Sequence, residues 1–206
     1  MGMRLYHERS CKRKQQIMAV FIFSLILAAL PAAFAQSNAN SIVPGKNVGK
    51  VHLGRYGAAY LSKLPRPDAN DSGMGRYRSV WVSKRPDGHI DTLYIYSVAN
   101  GPRQIEPLEG VSIELIRVTS PWYRTRGGLS TGSTLAQILR GFPDLRPTDD
   151  SKTLYDDAKD GIAFEFAEPA TADSLVTAII IHQPGKVDLA TAQDVNKVLR
   201  SGDIQQ

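Results

Sequence analysis

The sequence predicts an α+β fold in which two similar helix-plus-antiparallel-sheet repeats pack as one domain. Three observations predict it. Residues 48–68 and 126–146 match at one constant offset, with Gly49, Gly54, Ala58, Leu61 and Pro65 falling on Gly127, Gly132, Ala136, Leu139 and Pro143. Self-similarity at a fixed spacing marks a repeated supersecondary unit. Each copy is followed by runs rich in Val, Ile, Tyr and Phe and broken by Asp and Gly, the pattern of strands joined by tight turns. Finally, the only cysteine is Cys11, so no disulfide can staple the chain and a shared core has to hold it. One helix on a small sheet buries too little surface alone, whereas two such units sharing a core suffice.

The elements follow in order. Arg4, Arg9, Lys12, Arg13 and Lys14 precede the apolar run of residues 17–30, Pro31 breaks that run, and Ala33-Phe34-Ala35 supplies a small-x-small pattern. This is the layout of a secretory signal peptide over residues 1–35, cleaved before Gln36, with an uncleaved membrane anchor as the alternative. Cys11 lies before the apolar run and cannot be a lipobox cysteine. Residues 36–41 (QSNANS) form a polar, flexible leader, and repeat 1 then covers residues 42–119. Within it, residues 55–64 read as a short helix ended by Pro65 and Pro67, and residues 67–75 as a loop by composition. Residues 77–83 and 90–98 read as strands joined at Pro86-Asp87-Gly88, where Pro presets φ and Gly accepts a positive one. Residues 111–118 alternate as a third strand.

Repeat 2 covers residues 120–184. Thr134 and Gln137 have capping-box spacing, the helix stops at Gly141 and Pro143, and residues 153–155, 162–166 and 175–182 are strand candidates. At a second offset, Thr92-Leu93-Tyr94-Ile95 aligns with Thr177-Ala178-Ile179-Ile180. Residues 185–206 carry a last amphipathic helix (Leu189, Ala192, Val195, Leu199) and a tail.

The pattern V-P-G-K-x-V-G-x-V-x-L-G over residues 43–54, with G-x-x-x-G-S-T-L-A-Q-I-L over residues 128–139, resembles the tandem repeats of the β-lactamase-inhibitor-protein-like fold. The small outer-membrane lipoproteins of the barrel-assembly machinery use a similar unit. The resemblance spans most of residues 42–182 through spaced glycines, a Leu and a Pro. This chain lacks the lipobox of the lipoproteins and the disulfides of the inhibitor. The resemblance implies a binding or scaffold role in the cell envelope, and no family contact motif is present to carry over.

Charge and motif chemistry narrow the function. The formal net charge is +5, of which the signal region supplies four. The remainder is nearly neutral, which argues against a nucleic-acid partner, since a phosphate footprint needs a strong basic excess. The halves differ in sign: residues 36–103 hold 10 basic and 4 acidic side chains, residues 104–206 hold 10 and 15. The GGLSTGST run at residues 127–134 has Ser133 where a phosphate loop needs Lys, and a structural turn with a helix cap explains it better. The acidic stretch at residues 156–161 has Ala158 and Ala167 at calcium-loop ligand positions and reads as a hairpin turn. His52, His89 and His182 are far apart and none has a ligand partner at metal spacing. No nucleophile elbow occurs. No catalytic residue, metal site or cofactor is assigned.

The candidate partner-binding residues are aromatic: Tyr94 and Tyr96 on one strand face, Trp122 and Tyr123 ahead of the second glycine turn. Tyr and Trp concentrate at binding surfaces and also fill cores. Under the second alignment Ile179 and Ile181 replace the two tyrosines, which argues that this face is covered by a helix. The expected function is a periplasmic or secreted, non-catalytic protein-binding or envelope scaffold module with an envelope or secreted protein as partner and no membrane span after signal cleavage. The alternative is a small secreted hydrolase or ligand-binding enzyme with a site built from dispersed residues.

Overall fold

A computed structural model describes residues 38–54, 59–99, 110–148, 150–185, 189–193 and 198. The expected signal peptide lies outside the described residues, as do residues 55–58 of the first expected helix and residues 194–197 and 199 of the last. In chain order the strands are β1 (Ser41–Val43), β2 (Asn47–Val48), β3 (Val51–His52), β4 (Ala69–Gly73), β5 (Arg76–Lys84), β6 (Ile90–Ala99), β7 (Val111–Val118), β8 (Arg124–Thr125), β9 (Arg146–Pro147), β10 (Leu154–Asp157), β11 (Ile162–Phe166) and β12 (Val176–His182). The helices with described bounds are α1 (Leu135–Gly141) and α2 (Ala190–Gln193); residues 59–61 are also helical.

The fold is mostly β, which corrects the α+β class predicted from the sequence. Strands dominate the described residues, and α1 is only seven residues long. Segments that read as turns and loops account for the difference. The loop expected over residues 67–75 contains β4, whose Asn70, Asp71 and Ser72 favour turns but pair one by one with Ser79, Arg78 and Tyr77 of β5. The glycine-rich residues 41–52 fold into β1 to β3, so Ser41 at the end of the expected leader is already in a strand.

Two sheets result. The large one has eight strands in the order β4-β5-β6-β7-β12-β11-β10-β9, with every neighbouring pair antiparallel. It is two four-stranded meanders joined last strand to last strand. The small sheet, β3-β2-β1-β8, contains the one parallel pairing recorded between named strands, Ser41 with Arg124 and Ile42 with Thr125.

The meanders match in detail. Tyr96 pairs with Leu115 and Ser97 with Ile113, which leaves Glu114 as the extra residue of a bulge. Glu165 pairs with Ala178 and Phe166 with Val176, which leaves Thr177 extra. Beside each bulge a glycine loop docks: Gly54 exchanges backbone hydrogen bonds with Ile113 at 2.7 and 3.2 Å, and the Gly132 N–H donates to the Val176 carbonyl at 2.8 Å. Ile113 is therefore equivalent to Val176, Tyr94 to Ala163 and Tyr96 to Glu165. This corrects the second sequence alignment, which matched β6, third in its meander, with β12, fourth in the other. The connecting loops differ in length, so one constant offset cannot serve both the glycine loops and the strands.

Both faces of the large sheet are buried over much of their area. On one face Ile95, Ile116, Val118, Ile162, Phe164, Ile179 and Ile181 meet Leu135, Ile138 and Phe142 around α1, and Ile42, Val48 and Val51 of the small sheet. A capping box fixes the start of α1: the Gln137 N–H donates to Thr134 Oγ1 at 3.2 Å, and the Thr134 N–H donates to Gln137 Oε1 at 2.9 Å. On the other face Val80, Tyr94, Tyr96, Leu115, Leu154 and Ile180 pack with Leu189, Ala192 and Val198 from the C-terminal segment. Arg117 on β7 ties the meanders together, its Nε donating to Glu165 Oε2 on β11 at 3.0 Å.

Candidate functional site

The structure separates the four aromatic candidates into two pairs. Tyr94 and Tyr96 belong to the core face under α2, at 0% and 7% exposure. The Tyr94 hydroxyl donates to the Thr191 carbonyl at 2.8 Å, and the Arg78 guanidinium lies 5.7 Å from the centre of the Tyr96 ring. Both rings are enclosed by the protein itself, so neither offers surface to a partner in this structure.

Trp122 and Tyr123 lie on the opposite face of the first meander. Trp122 is 55% exposed and meets Tyr123 edge to face, ring centres 5.2 Å apart. Together with Trp81, Val82, Ser83, Asp91, Thr92, Leu93 and Ser120 they line an open cleft of about 270 Å³. Pro121 and a turn at residues 121–122 place the pair, and the Tyr123 N–H closes back on the Ser120 carbonyl at 3.4 Å. Burial, and secondly the neighbouring Tyr60, push the Tyr123 phenol above its ordinary value of 10.0. The ring therefore stays neutral at physiological pH and can donate its hydroxyl proton.

A second cleft of about 310 Å³ adjoins the first, and Trp81 walls both. Leu61, Leu64, Pro65, Arg66, Tyr77, Ser79, Ser97 and Val111 are among its lining residues. Trp81 is held in place by its indole N–H, which donates to the Pro65 carbonyl at 2.8 Å. The origin of this cleft is visible in the equivalent positions. Where the first meander has Ser79 and Ser97, the second has Tyr155 and Phe166, whose rings fill the same space in a T-shaped contact at 5.6 Å. Two serines in place of two aromatic rings leave the hollow. Sequence reasoning missed Trp81, Leu93, Ser79, Ser97 and Arg66. One signal was available: Tyr77, Ser79, Trp81 and Ser83 alternate onto a single strand face, and serine is a poor filler for a face meant to be sealed.

The histidines do not assemble a site. His52 and His89 are exposed. His182 is 2% exposed; its Nε2 meets Asp156 Oδ1 at 2.9 Å and its Nδ1 meets the Gln183 carbonyl at 3.0 Å. Both ring nitrogens are thus turned to protein oxygens inside the fold, away from the cleft. Among the described residues no three His, Cys, Asp or Glu side chains gather as a metal site. Gly128 and Gly132 of the glycine-rich loop hold positive φ angles that the turn requires. Among the described residues no helix is long and apolar enough to cross a membrane.

No family model matches the chain, and no curated protein matches it. The crystal structure of the uncharacterized protein yfeY from Escherichia coli is similar over 69% of this chain and 98% of that one, at 13% identity and a TM-score of 0.33. That likeness is too weak to carry an argument about fold or function. The resemblance to the β-lactamase-inhibitor-protein-like fold gains no support from these comparisons and meets no conflict in them.

Proposed function

We propose that the protein is an exported, non-catalytic binding module of the periplasm or secreted space, and that it holds a protein partner in the cleft beside Trp81. The carrying observation is the Trp122–Tyr123 pair: large, stiff, amphipathic rings, one of them half exposed, at the mouth of an apolar cleft. Such rings dominate binding energy because they offer area at little entropic cost. The polar lining groups favour binding over chemistry, since the Asp91 carboxylate is already engaged by Arg85 at 3.3 Å and the Thr92 and Thr119 hydroxyls face each other at 3.4 Å. The signal-peptide pattern supports export. The test is a photo-crosslinking residue at position 122 in cells carrying the full chain, with position 159 as an exposed control. A discrete adduct with one exported protein at 122, absent at 159, is the expected outcome. The same faint adducts at both positions would overturn the reading.

A further inference from the structure

We infer that the cleft receives an extended peptide segment of the partner, lying along β5, with two large apolar side chains four residues apart seated on either side of Trp81 and an acidic end toward Arg66. The inference rests on the binding reading above.

Size comes first. The two hollows, about 270 and 310 Å³, are separate lobes walled by one tryptophan. Each lies at the lower limit of small-molecule pockets, about 300 Å³. Each has room for one bulky side chain, and Trp81 keeps the two apart.

Spacing comes second. Ser83 lines the first lobe and Ser79 the second, four residues apart on one strand. At a strand rise of about 3.3 Å per residue Ser79 and Ser83 sit about 13 Å apart. An extended peptide puts side chains i and i+4 on one face at that same distance. A helix at about 1.5 Å per residue reaches it only near i+8 or i+9, across more than two turns.

Charge comes third. Asp91 at the first lobe is matched by Arg85. Arg66 lines the second lobe, and Lys63 stands between its lining residues Ser62 and Leu64. Both are exposed, and neither has an ion-pair partner among the described residues. Among the described lining residues the uncompensated charge is that of Arg66, in the second lobe, which fits acidic residues on the peptide beside the side chain seated there.

The test uses protein purified from a host expressing the full chain. The probe is a fluorescein-labelled nonapeptide with two phenylalanines four residues apart in a Ser/Thr background and two aspartates at one end, read by fluorescence anisotropy. Moving the phenylalanines to a spacing of three turns one ring to the wrong face and should weaken binding about tenfold or more. Trp122→Ala, at an exposed position, should weaken it similarly. Arg66→Glu should reverse the preference between aspartate-ended and lysine-ended probes. Ser97→Phe, which copies the filling of the second meander, should abolish binding without lowering the melting temperature. No binding by the wild type, equal binding at both spacings, or an unchanged charge preference in Arg66→Glu overturns the inference. A crosslinked partner at position 122 combined with spacing-independent peptide binding would sink this inference and leave the binding reading standing.

Discussion

The two meanders have the same strand order, the same bulge and the same docked glycine loop, yet one is sealed and the other open. In the second, Phe142 from the end of α1 lies 5.4 Å from Phe164, and Tyr155 meets Phe166 beside them, so the helix closes the sheet face. In the first, Ser79 and Ser97 leave that volume empty, and Tyr60, Leu61, Leu64 and Trp81 are only partly covered. The backbone plan sets where a cover can sit, whereas side-chain volume at two equivalent positions decides whether the cover closes. A duplicated fold can therefore keep one copy as a core and turn the other into a surface without altering its topology.

The comparison can be broken most severely in the sealed half. Phe164→Ala, at a fully buried position, should cost about 3–5 kcal/mol in urea unfolding, because no neighbour can collapse into the space. The equivalent hairpin turns offer a paired test. Gly88 and Gly161 both have positive φ, but a Cβ on Gly88 meets open space, while one on Gly161 strikes the His182 carbonyl and the Gly45 Cα. Gly88→Ala should cost about 1–2 kcal/mol for the left-handed backbone alone, and Gly161→Ala should exceed it by at least about 1 kcal/mol.

The reverse exchange sharpens the comparison. Ser79→Tyr combined with Ser97→Phe carries the sealed half's filling into the open one and should raise stability, by up to about 2 kcal/mol per ring well accommodated. A fall of more than about 1 kcal/mol would show that the first meander cannot take the second's packing. Trp122→Ala should change stability by less than about 0.5 kcal/mol, as for an exposed residue outside the core.

The smallest effect is on alkaline stability. Tyr123 is raised above 10.0 in the folded protein by burial and by Tyr60. Its contribution is complete below the unfolded value and is lost as pH rises from there through the folded value, because the unfolded chain ionises first. The urea midpoint of Tyr123→Phe should therefore fall less than that of the wild type between pH 9 and pH 11, measured in parallel as an order-of-magnitude window around the ordinary tyrosine value of about 10. An identical fall in both would remove the cleft from this part of the profile.

The long hairpins were legible because their signals are local. Pro86-Asp87-Gly88 fixes one turn, Gly161 the other, and the Val, Tyr and Trp content of residues 77–83 and the alternation in residues 111–118 mark strands. β4 was not legible, because Ala69 to Gly73 become a strand only by pairing along β5. Met74 and Gly75, both at positive φ, make the reversal that brings them there. The site was half legible. Trp122 and Tyr123 stand out as adjacent rings after a proline, while Tyr94 and Tyr96 look alike in sequence and differ from them only in which face the C-terminal segment covers. Ser97 became visible as a cleft residue only once sheet register placed it opposite Ile113, the position that Phe166 holds opposite Val176.

The parallel pairing of β1 with β8 carries a kinetic consequence. Ser41 and Ile42 bond to Arg124 and Thr125, which belong to the other copy and are made far later in synthesis. A chain emerging N-terminus first, from a ribosome or a translocation pore, can pair Ile42 with Val48 of β2 at once but must hold the other edge of β1 open until the whole first meander has passed. Joining such distant segments is slow because the intervening loop must close first. The first copy is thus not a finished folding unit when it emerges, and its maturation waits on the second.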